Sequence, residues 1–159
     1  MELNQAVVRD FFSYDPEEGV LRWRKRRYGV TVGAVAGSMT NGARQLELGG
    51  RAYLAHRIIW LYMTGDWPKH MIDHINGVRD DNRWANLRDV SRVVNGQNMR
   101  KPPKSNKHGY FGVTPVRGKW RATITINGKN WHIGYYDTPE EAQQQYIETK
   151  RLFHEGCTI

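Results

Sequence analysis

The chain has 159 residues, 39% of them hydrophobic and 25% charged, which is typical of one globular domain or of two small modules. Its longest apolar run, Ile58 to Met63, is much shorter than the roughly 20 residues of a membrane span. The first residues lack the order of a signal peptide, and the single cysteine, Cys157, excludes an internal disulfide framework and a cysteine-rich zinc site. We therefore expect a protein of the reducing cytoplasm.

Positive charge is the most informative feature of the composition. Lysine and arginine number 24 against 16 acidic residues, which gives a net charge of +8. The basic residues cluster in two blocks, one over 22–27 and one over 101–129, and the second block contains no acid. A generally basic protein would carry the same net charge, but two separated blocks favour two contacts with one nucleic acid.

The first hundred residues combine short helices with strand and turn signals. Apolar spacing predicts helices over 3–12 and 55–64, and Gly65 ends the second one. Strands are predicted at 20–23, 30–36, 44–48 and 51–54. From 70 to 100 the pattern predicts a compact unit of strand, Asn76-Gly77 turn, polar loop, strand and helix.

The C-terminal third is predicted as a three-stranded sheet covered by one helix. Residues 119–126 alternate strictly, Asn127-Gly128 is a hairpin turn, and 129–136 form the return strand. Residues 110–114 supply the first strand, and Thr138 with Glu141 forms the capping box of the helix. A two-residue turn puts a set of apolar residues on the core face, namely Trp120, Ala122, Ile124, Ile126, Trp131 and Ile133. The opposite face is predicted to be basic and polar, with Lys119, Arg121, Thr123, Thr125, Asn130, His132 and Tyr136.

Residues 72–95 contain side chains that suit phosphodiester hydrolysis. That reaction needs an activated water and a cation that absorbs charge on the phosphate. A neutral histidine such as His74 can accept the proton of the water when a second group fixes its tautomer. The oxygens of Asp73 and Asn95 are suitable ligands for a hard cation such as Mg²⁺.

Several nearby residues leave alternatives open. Asn82 is expected to bind loop backbone rather than to act in the site. Arg83 and Arg88 suit either a phosphate contact or a solvated surface. His56 suits either structural hydrogen bonding or a place in the active site.

The string Asp73-His-Ile-Asn-Gly-x-x-x-Asp-Asn-Arg-x-x-Asn-Leu-Arg88, with Asn95 nine residues after Asn86, resembles the HNH nucleases in their phage-type homing-endonuclease branch. The upstream residues 54–60 and 65–68 are similar to the same branch. The resemblance implies a ββα-metal site in which His74 is the general base, Asp73 and Asn95 hold a divalent ion, and Asn86 orients His74. Asparagine rather than histidine at the third motif position disfavours a zinc ion bound by protein ligands alone.

Residues 109–156 resemble the Apetala/ethylene-response-factor DNA-binding domain, through Gly109-Tyr-Phe-Gly-Val113, Gly118-Lys-Trp-Arg-Ala122 and His132-Ile-Gly-Tyr-Tyr-Asp-Thr138. The resemblance implies that the sheet enters the major groove, and His132 stands where that family often has tryptophan. With the two basic blocks, the predicted DNA-binding residues are Arg24, Arg26, Lys104, Lys107, Lys119, Arg121, Thr123 and His132.

The prediction is an α+β protein with an HNH nuclease module over 1–100, a basic linker over 101–109 and a DNA-binding domain over 110–159. We expect a site-specific, strand-nicking endonuclease that acts as a monomer on double-stranded DNA with Mg²⁺ or Mn²⁺, in a phage or in its bacterial host cell. The alternatives are a non-catalytic DNA-binding regulator with a vestigial nuclease module and, from another class, a binder of structured RNA. An exposed aromatic stacking pair is not predicted on the sheet, which disfavours RNA.

Overall fold

The computed structural model describes residues 2–27, 29–104 and 106–159. These residues form small antiparallel sheets and four α-helices, in agreement with the predicted mixture of helix and sheet. The chain divides into two compact units, Met1–Ser91 and Arg92–Ile159.

The first unit is built from short elements that follow one another closely. They are α1 (Gln5–Phe11), β1 (Phe12–Asp15), β2 (Val20–Trp23), β3 (Ser38–Thr40), β4 (Ala43–Leu48), β5 (Arg51–Leu54), α2 (Ala55–Thr64), β6 (Met71–His74), a 3-10 helix (Trp84–Asn86) and β7 (Leu87–Val90). Strands β1 and β2 form one hairpin, β3, β4 and β5 form a meander, and β6 and β7 form a second hairpin. The helix α2 ends at Gly65, which adopts the left-handed conformation that the sequence predicts.

One core joins these elements. Phe12 and Trp23 are register partners on β1 and β2, and their rings lie 4.5 Å apart. The buried face of α2 contributes Ile58 and Ile59 to the same cluster. Ile72 and Leu87 extend it to the β6–β7 hairpin, so the hairpin has a fixed position on the core of its unit.

The strand predicted at 30–36 does not form. Gly33 has a φ of +85°, which breaks the extended conformation, and the segment is held by single backbone hydrogen bonds to β2. Trp23 and Ala36 donate two of these bonds, to the carbonyls of Ala34 and Leu21. The segment therefore follows β2 as a loop, and β3 begins only at Ser38.

The second unit contains the predicted sheet and its covering helix. Its elements are α3 (Arg92–Gln97), β8 (Val113–Val116), β9 (Lys119–Ile126), β10 (Lys129–Tyr136) and α4 (Pro139–Phe153). The strand order is β8-β9-β10, with β9 in the centre. Thr138 and Glu141 form the predicted capping box of α4, so this boundary is confirmed.

The division between the units falls earlier than the predicted linker. Gln97 accepts a hydrogen bond of 2.9 Å from the backbone of Gly156, and Lys150 donates one of 3.1 Å to the carbonyl of Met99. These bonds connect the end of α3 and the residues just after it to the C-terminal part of the chain. Helix α3 therefore belongs to the second compact unit, and the predicted boundary between functional modules at 101–109 stays a prediction.

A bulge in β10 changes which residues face solvent. Trp131 is the partner of Ile124, but Gly134 is the partner of Ala122, so Ile133 is an extra residue. The side-chain parity reverses after the bulge, and Tyr136 packs on the core while Tyr135 is 55% exposed. The prediction that Tyr136 lies on the exposed face is therefore wrong.

The predicted core face of the sheet is only partly covered. Ala122 and Ile124 are buried as predicted, and Trp120 packs against the core cluster. Trp131, in contrast, is 56% exposed and lines an open apolar cavity together with Phe153. The prediction of Trp131 as a core residue is wrong because α4 covers the hairpin tip incompletely.

Candidate active site

The β6–β7 hairpin positions two adjacent polar residues of the first unit, Asp73 and His74. They are the last residues of β6, and their register partners on β7 are Arg88 and Leu87. Successive side chains on a strand point to opposite faces, so the two groups have separate surroundings. Both residues are only 6% exposed. Buried polar groups of this kind require partners, and those partners define the site.

Asp73 is paired with Arg88 across the hairpin. Arg88 donates hydrogen bonds from Nε and Nη2 to the same carboxylate oxygen, Oδ2, over 2.9 and 2.7 Å. The guanidinium compensates the negative charge that the fold buries here. Arg88 therefore contacts the predicted metal ligand, which is neither of the two roles that the sequence left open for it.

His74 contacts Asn82 rather than Asn86. The distance from His74 Nε2 to Asn82 Oδ1 is 3.0 Å, and Asn82 is buried. An amide oxygen only accepts hydrogen bonds, so Nε2 carries the hydrogen and the lone pair of the neutral ring is at Nδ1. The amide nitrogen of Asn82 faces the carbonyl of Asp80 at 3.4 Å, which agrees with this orientation.

Long-range contacts within the first unit hold Asn82 in place. Tyr14 on β1 donates a hydrogen bond of 2.7 Å to the carbonyl of Asn82. Gly19, with a φ of +73°, lies so close to this loop that an added Cβ would be 2.3 Å from the backbone nitrogen of Arg83. The loop is therefore packed against the β1–β2 turn at the point where Asn82 reaches His74.

Asn86 stabilises the loop between β6 and β7 through side-chain hydrogen bonds. Its Oδ1 accepts a hydrogen bond of 2.9 Å from the backbone of Asn76, and its Nδ2 donates to Asn76 Oδ1 and to the carbonyl of Asp81. Both amide hydrogens are thus engaged by the turn. In this geometry Asn82, not Asn86, contacts the ring of His74, and the orienting role of Asn86 stays a prediction.

Arg83 forms an ion pair with Asp81 on the same loop. Its Nε and Nη2 lie 2.8 and 2.5 Å from the carboxylate oxygens of Asp81. This bond from Arg83 is the main reason that the pKa of Asp81 falls from 3.8 to about 2. Arg83 therefore braces the loop, although its side chain remains half exposed.

The second histidine at the site is His56, in the first turn of α2. Its ring centroid is 5.1 Å from that of His74, and the two planes are at 80° in an edge-to-face arrangement. Burial is the largest cause that lowers the pKa of His56 from 6.5 to about 4, and nearby positive groups act in the same direction. His56 is therefore uncharged at neutral pH.

The predicted metal ligands stand in different units. Asp73 lies on β6 in the first unit, whereas Asn95 is half-buried on α3 in the second. The described part of the chain contains no group of three or more histidine, cysteine or acidic side chains that could hold a metal ion. Carboxylate and amide oxygens are the ligand types that a hard cation takes, and they are not typical of a zinc site built from protein groups alone. The role of Asn95 stays a prediction.

The predicted DNA-binding residues differ in their availability. Arg24, Arg26, Lys104 and Lys107 are exposed, although Arg24 also donates a hydrogen bond to the carbonyl of Arg9. On the sheet, Lys119 pairs with Asp137 at 2.7 Å, and the Thr123 hydroxyl donates to the Gly112 carbonyl.

Arg121 and His132 complete the sheet face. Arg121 is half-buried and donates a weak hydrogen bond of 3.4 Å to Thr114. His132 is exposed and lies 4.7 Å from the ring of Tyr135. The face therefore carries an exposed aromatic pair, which the sequence did not predict because the bulge at Ile133 was not foreseen.

Comparison with known proteins supports the nuclease interpretation of this region. Residues 53–97 match the model of a family described as HNH endonuclease, and the match contains His56, His74 and the predicted metal ligands. This segment of the first hundred residues is thus similar to HNH endonucleases. None of the helices in the described residues is long and apolar enough to cross a membrane.

The other comparisons add little. A cytoplasmic dynein heavy chain of Neurospora crassa is 29% identical over 92 residues, which cover 58% of this chain. This chain spans only 2% of the length of that curated relative, so the similarity carries no functional argument. No solved structure matches the chain.

Proposed function

We propose that this protein is a metal-dependent, site-specific endonuclease that hydrolyses a phosphodiester bond of double-stranded DNA. The observation that carries the proposal is the buried imidazole of His74. Its Nε2–H is fixed by Asn82, and it lies next to a buried carboxylate within a segment that matches HNH endonucleases. The positive net charge of +8 suits a polyanionic substrate.

The proposed role of His74 is that of the general base. With the hydrogen on Nε2 held by Asn82, the ring presents Nδ1 to a water molecule and accepts its proton there. Because Asn82 is held by Tyr14, the tautomer is set before substrate binds. A positioned base of this kind accelerates hydrolysis by roughly 10²- to 10⁴-fold.

Asp73 and Asn95 are the proposed ligands of Mg²⁺ or Mn²⁺. When bound, such an ion stabilises the charge that develops on the phosphate in the transition state. Mg²⁺ uses one or two protein carboxylates and takes its other ligands from water and substrate, which agrees with one carboxylate among the two proposed ligands. Arg88 holds the Asp73 carboxylate in a fixed orientation.

The second unit is proposed to supply DNA affinity and site preference. The exposed face of its sheet carries Arg121 and His132, and the segment before it carries Lys104 and Lys107. With one active site per chain, a monomer that cleaves one strand per binding event is the expected form. The homing-type, phage-borne character rests on the resemblance of the motifs alone.

A second candidate function is a DNA-binding regulator without nuclease activity. The ion pair between Asp73 and Arg88 favours it, because the carboxylate proposed to hold the metal is already compensated by protein charge. Nuclease activity remains the better account because His74 and Asn82 are arranged as a base and its orienting partner.

Incubation of the full chain with supercoiled plasmid distinguishes the two candidates. A nuclease converts the plasmid to the open-circular form with Mg²⁺ or Mn²⁺ and leaves it intact in EDTA, with 5′-phosphate ends at the nick. A regulator binds the plasmid with either addition and never cuts it. Loss of cleavage in Asp73→Ala and Asn95→Ala, with partial rescue of Asn95→Ala at high Mn²⁺, would support the proposed ligands.

A further inference from the structure

His56 and His74 come from distant parts of the first unit, yet their rings form one buried contact. His56 is the second residue of α2, and His74 is the last residue of β6. Their centroids are 5.1 Å apart, in the edge-to-face geometry that aromatic rings prefer. Helix α2 is fixed by Ile58 and Ile59 in the core, so the ring of His56 is held rigidly against His74.

The ring of His56 does not have the environment of a structural histidine. A buried structural imidazole normally satisfies its nitrogens with hydrogen bonds. Among residues 2–27, 29–104 and 106–159, no hydrogen bond to the His56 ring is found, and its described side-chain contact with another ring is that to His74. The ring contact with His74 is therefore the interaction that the side chain of His56 contributes.

We propose that His56 is a positioning residue, whose ring holds the imidazole of His74 in the orientation that the hydrogen bond to Asn82 defines. The inference rests on the proposed role of His74 as general base. The hydrogen bond to Asn82 holds the hydrogen on Nε2 only while the ring of His74 keeps this orientation. A rigid ring packed against the imidazole favours that orientation and keeps Nδ1 directed at one place.

His56 is uncharged at neutral pH, which agrees with a positioning role that depends on the shape of its ring and not on proton transfer. At the pH at which the enzyme would act, His56 carries no positive charge next to the base. A phenylalanine has a similar planar ring without nitrogens, so it preserves the edge-to-face contact. A leucine fills much of the space but has no ring to pack in this geometry.

The test compares His56→Phe with His56→Leu in the full chain. His70→Leu serves as a matched control, because His70 is an exposed histidine of the same unit, with its ring 3.6 Å from Asp89 and outside the site. Three quantities are measured: the single-turnover rate of plasmid cleavage with Mg²⁺, the affinity for DNA in EDTA, and the imidazole tautomer of His74 by long-range ¹H–¹⁵N NMR.

We expect His56→Leu to lower the cleavage rate by about 10- to 100-fold, as misplacement of a catalytic group does, with DNA affinity unchanged. We expect His56→Phe and His70→Leu to cleave at nearly the wild-type rate. In the NMR spectrum the wild type and His56→Phe show His74 with its hydrogen on Nε2, whereas His56→Leu shows a mixture of tautomers. If His56→Leu fails to fold, His56→Gln replaces it with the same expectations.

Two results would overturn the inference. Wild-type cleavage and an unchanged tautomer in His56→Leu would mean that the ring contact does not position His74. A rate for His56→Phe as low as that of His56→Leu would assign the effect to the ring nitrogens instead. The NMR measurement needs neither metal nor DNA, so it tests the contact even if the wild-type protein cuts nothing and the proposed function itself fails.

Discussion

Asp73 and Arg88 face each other across the β6–β7 hairpin, and the guanidinium of Arg88 donates two hydrogen bonds to one carboxylate oxygen of Asp73. The carboxylate is nearly inaccessible, while the arginine retains some exposure. The pair therefore fixes the oxygen atoms of the proposed metal ligand and makes the ionised form tolerable inside the protein.

Removal of the arginine alone should destabilise the fold. Arg88→Ala leaves the Asp73 carboxylate buried without its guanidinium, and we expect the free energy of unfolding to fall by about 3 kcal/mol. The double variant Asp73→Asn/Arg88→Ala should recover part of this loss, because the buried charge is gone. Urea denaturation measures both values. An effect of Arg88→Ala below about 0.5 kcal/mol would show that the ion pair is only a surface contact.

Substitution of Asn82 should mainly affect the cleavage rate, whereas substitution of Asn86 should mainly affect stability. Asn82→Ala removes the group that fixes the His74 tautomer, so we expect the cleavage rate to fall by about 10- to 100-fold with DNA affinity retained. Asn86→Ala removes three hydrogen bonds of the loop, so its main effect should be a loss of about 1 to 3 kcal/mol in stability.

Cleavage rates and urea midpoints of both variants test this division. Normal cleavage by Asn82→Ala, together with a folded Asn86→Ala that cannot cut, would restore the orienting role to Asn86.

Acidification should destabilise the first unit through His56. Its pKa is about 4 in the folded protein and 6.5 in the unfolded chain, so the unfolded state binds a proton more readily. Above pH 6.5 His56 does not destabilise the fold, because it is uncharged in both states. As the pH is lowered from 6.5 to 4, the free energy of unfolding falls by about 3 kcal/mol in all. His56→Phe should lose this component. An identical pH dependence of unfolding in the wild type and the variant would contradict it.

The exposed face of the sheet should read DNA through the side chains beside the bulge. Arg121→Ala should cost about 1 to 3 kcal/mol on the preferred site if the arginine pairs with a guanine edge. Tyr135→Ala should also weaken binding, whereas Tyr136→Phe should not, because Tyr136 lies on the core side. Lys104→Ala and Lys107→Ala should weaken binding to all sequences alike and reduce its salt dependence. Filter binding to specific and random DNA separates these effects.

Local signals were sufficient for the parts of the fold that depend on neighbouring residues. The capping box at Thr138, the Asn127-Gly128 turn and the end of α2 at Gly65 are all present as predicted. The bulge at Ile133 was not predictable, because one inserted residue reverses the faces of everything after it without changing the alternation of residue types.

In the candidate site, too, the residues of a local motif were predictable and their distant contacts were not. The sequence identified Asp73 and His74 through their motif, and both are buried together on one hairpin. The partners of His74 depend on contacts that are remote in the chain. Asn82 reaches the imidazole because Tyr14 and Gly19 fix its loop, and His56 arrives on a separate helix. The sequence signal for these two residues was their place in segments that resemble HNH nucleases, which does not reveal that both contact His74.

The most direct test of the account compares His74→Ala with His70→Ala in single-turnover plasmid cleavage with Mg²⁺. We predict that His74→Ala folds, binds DNA with the wild-type affinity and cuts roughly 10²- to 10⁴-fold more slowly, while His70→Ala cuts normally. A folded His74→Ala protein that binds DNA and cuts at the wild-type rate would contradict the assignment of His74 as the base.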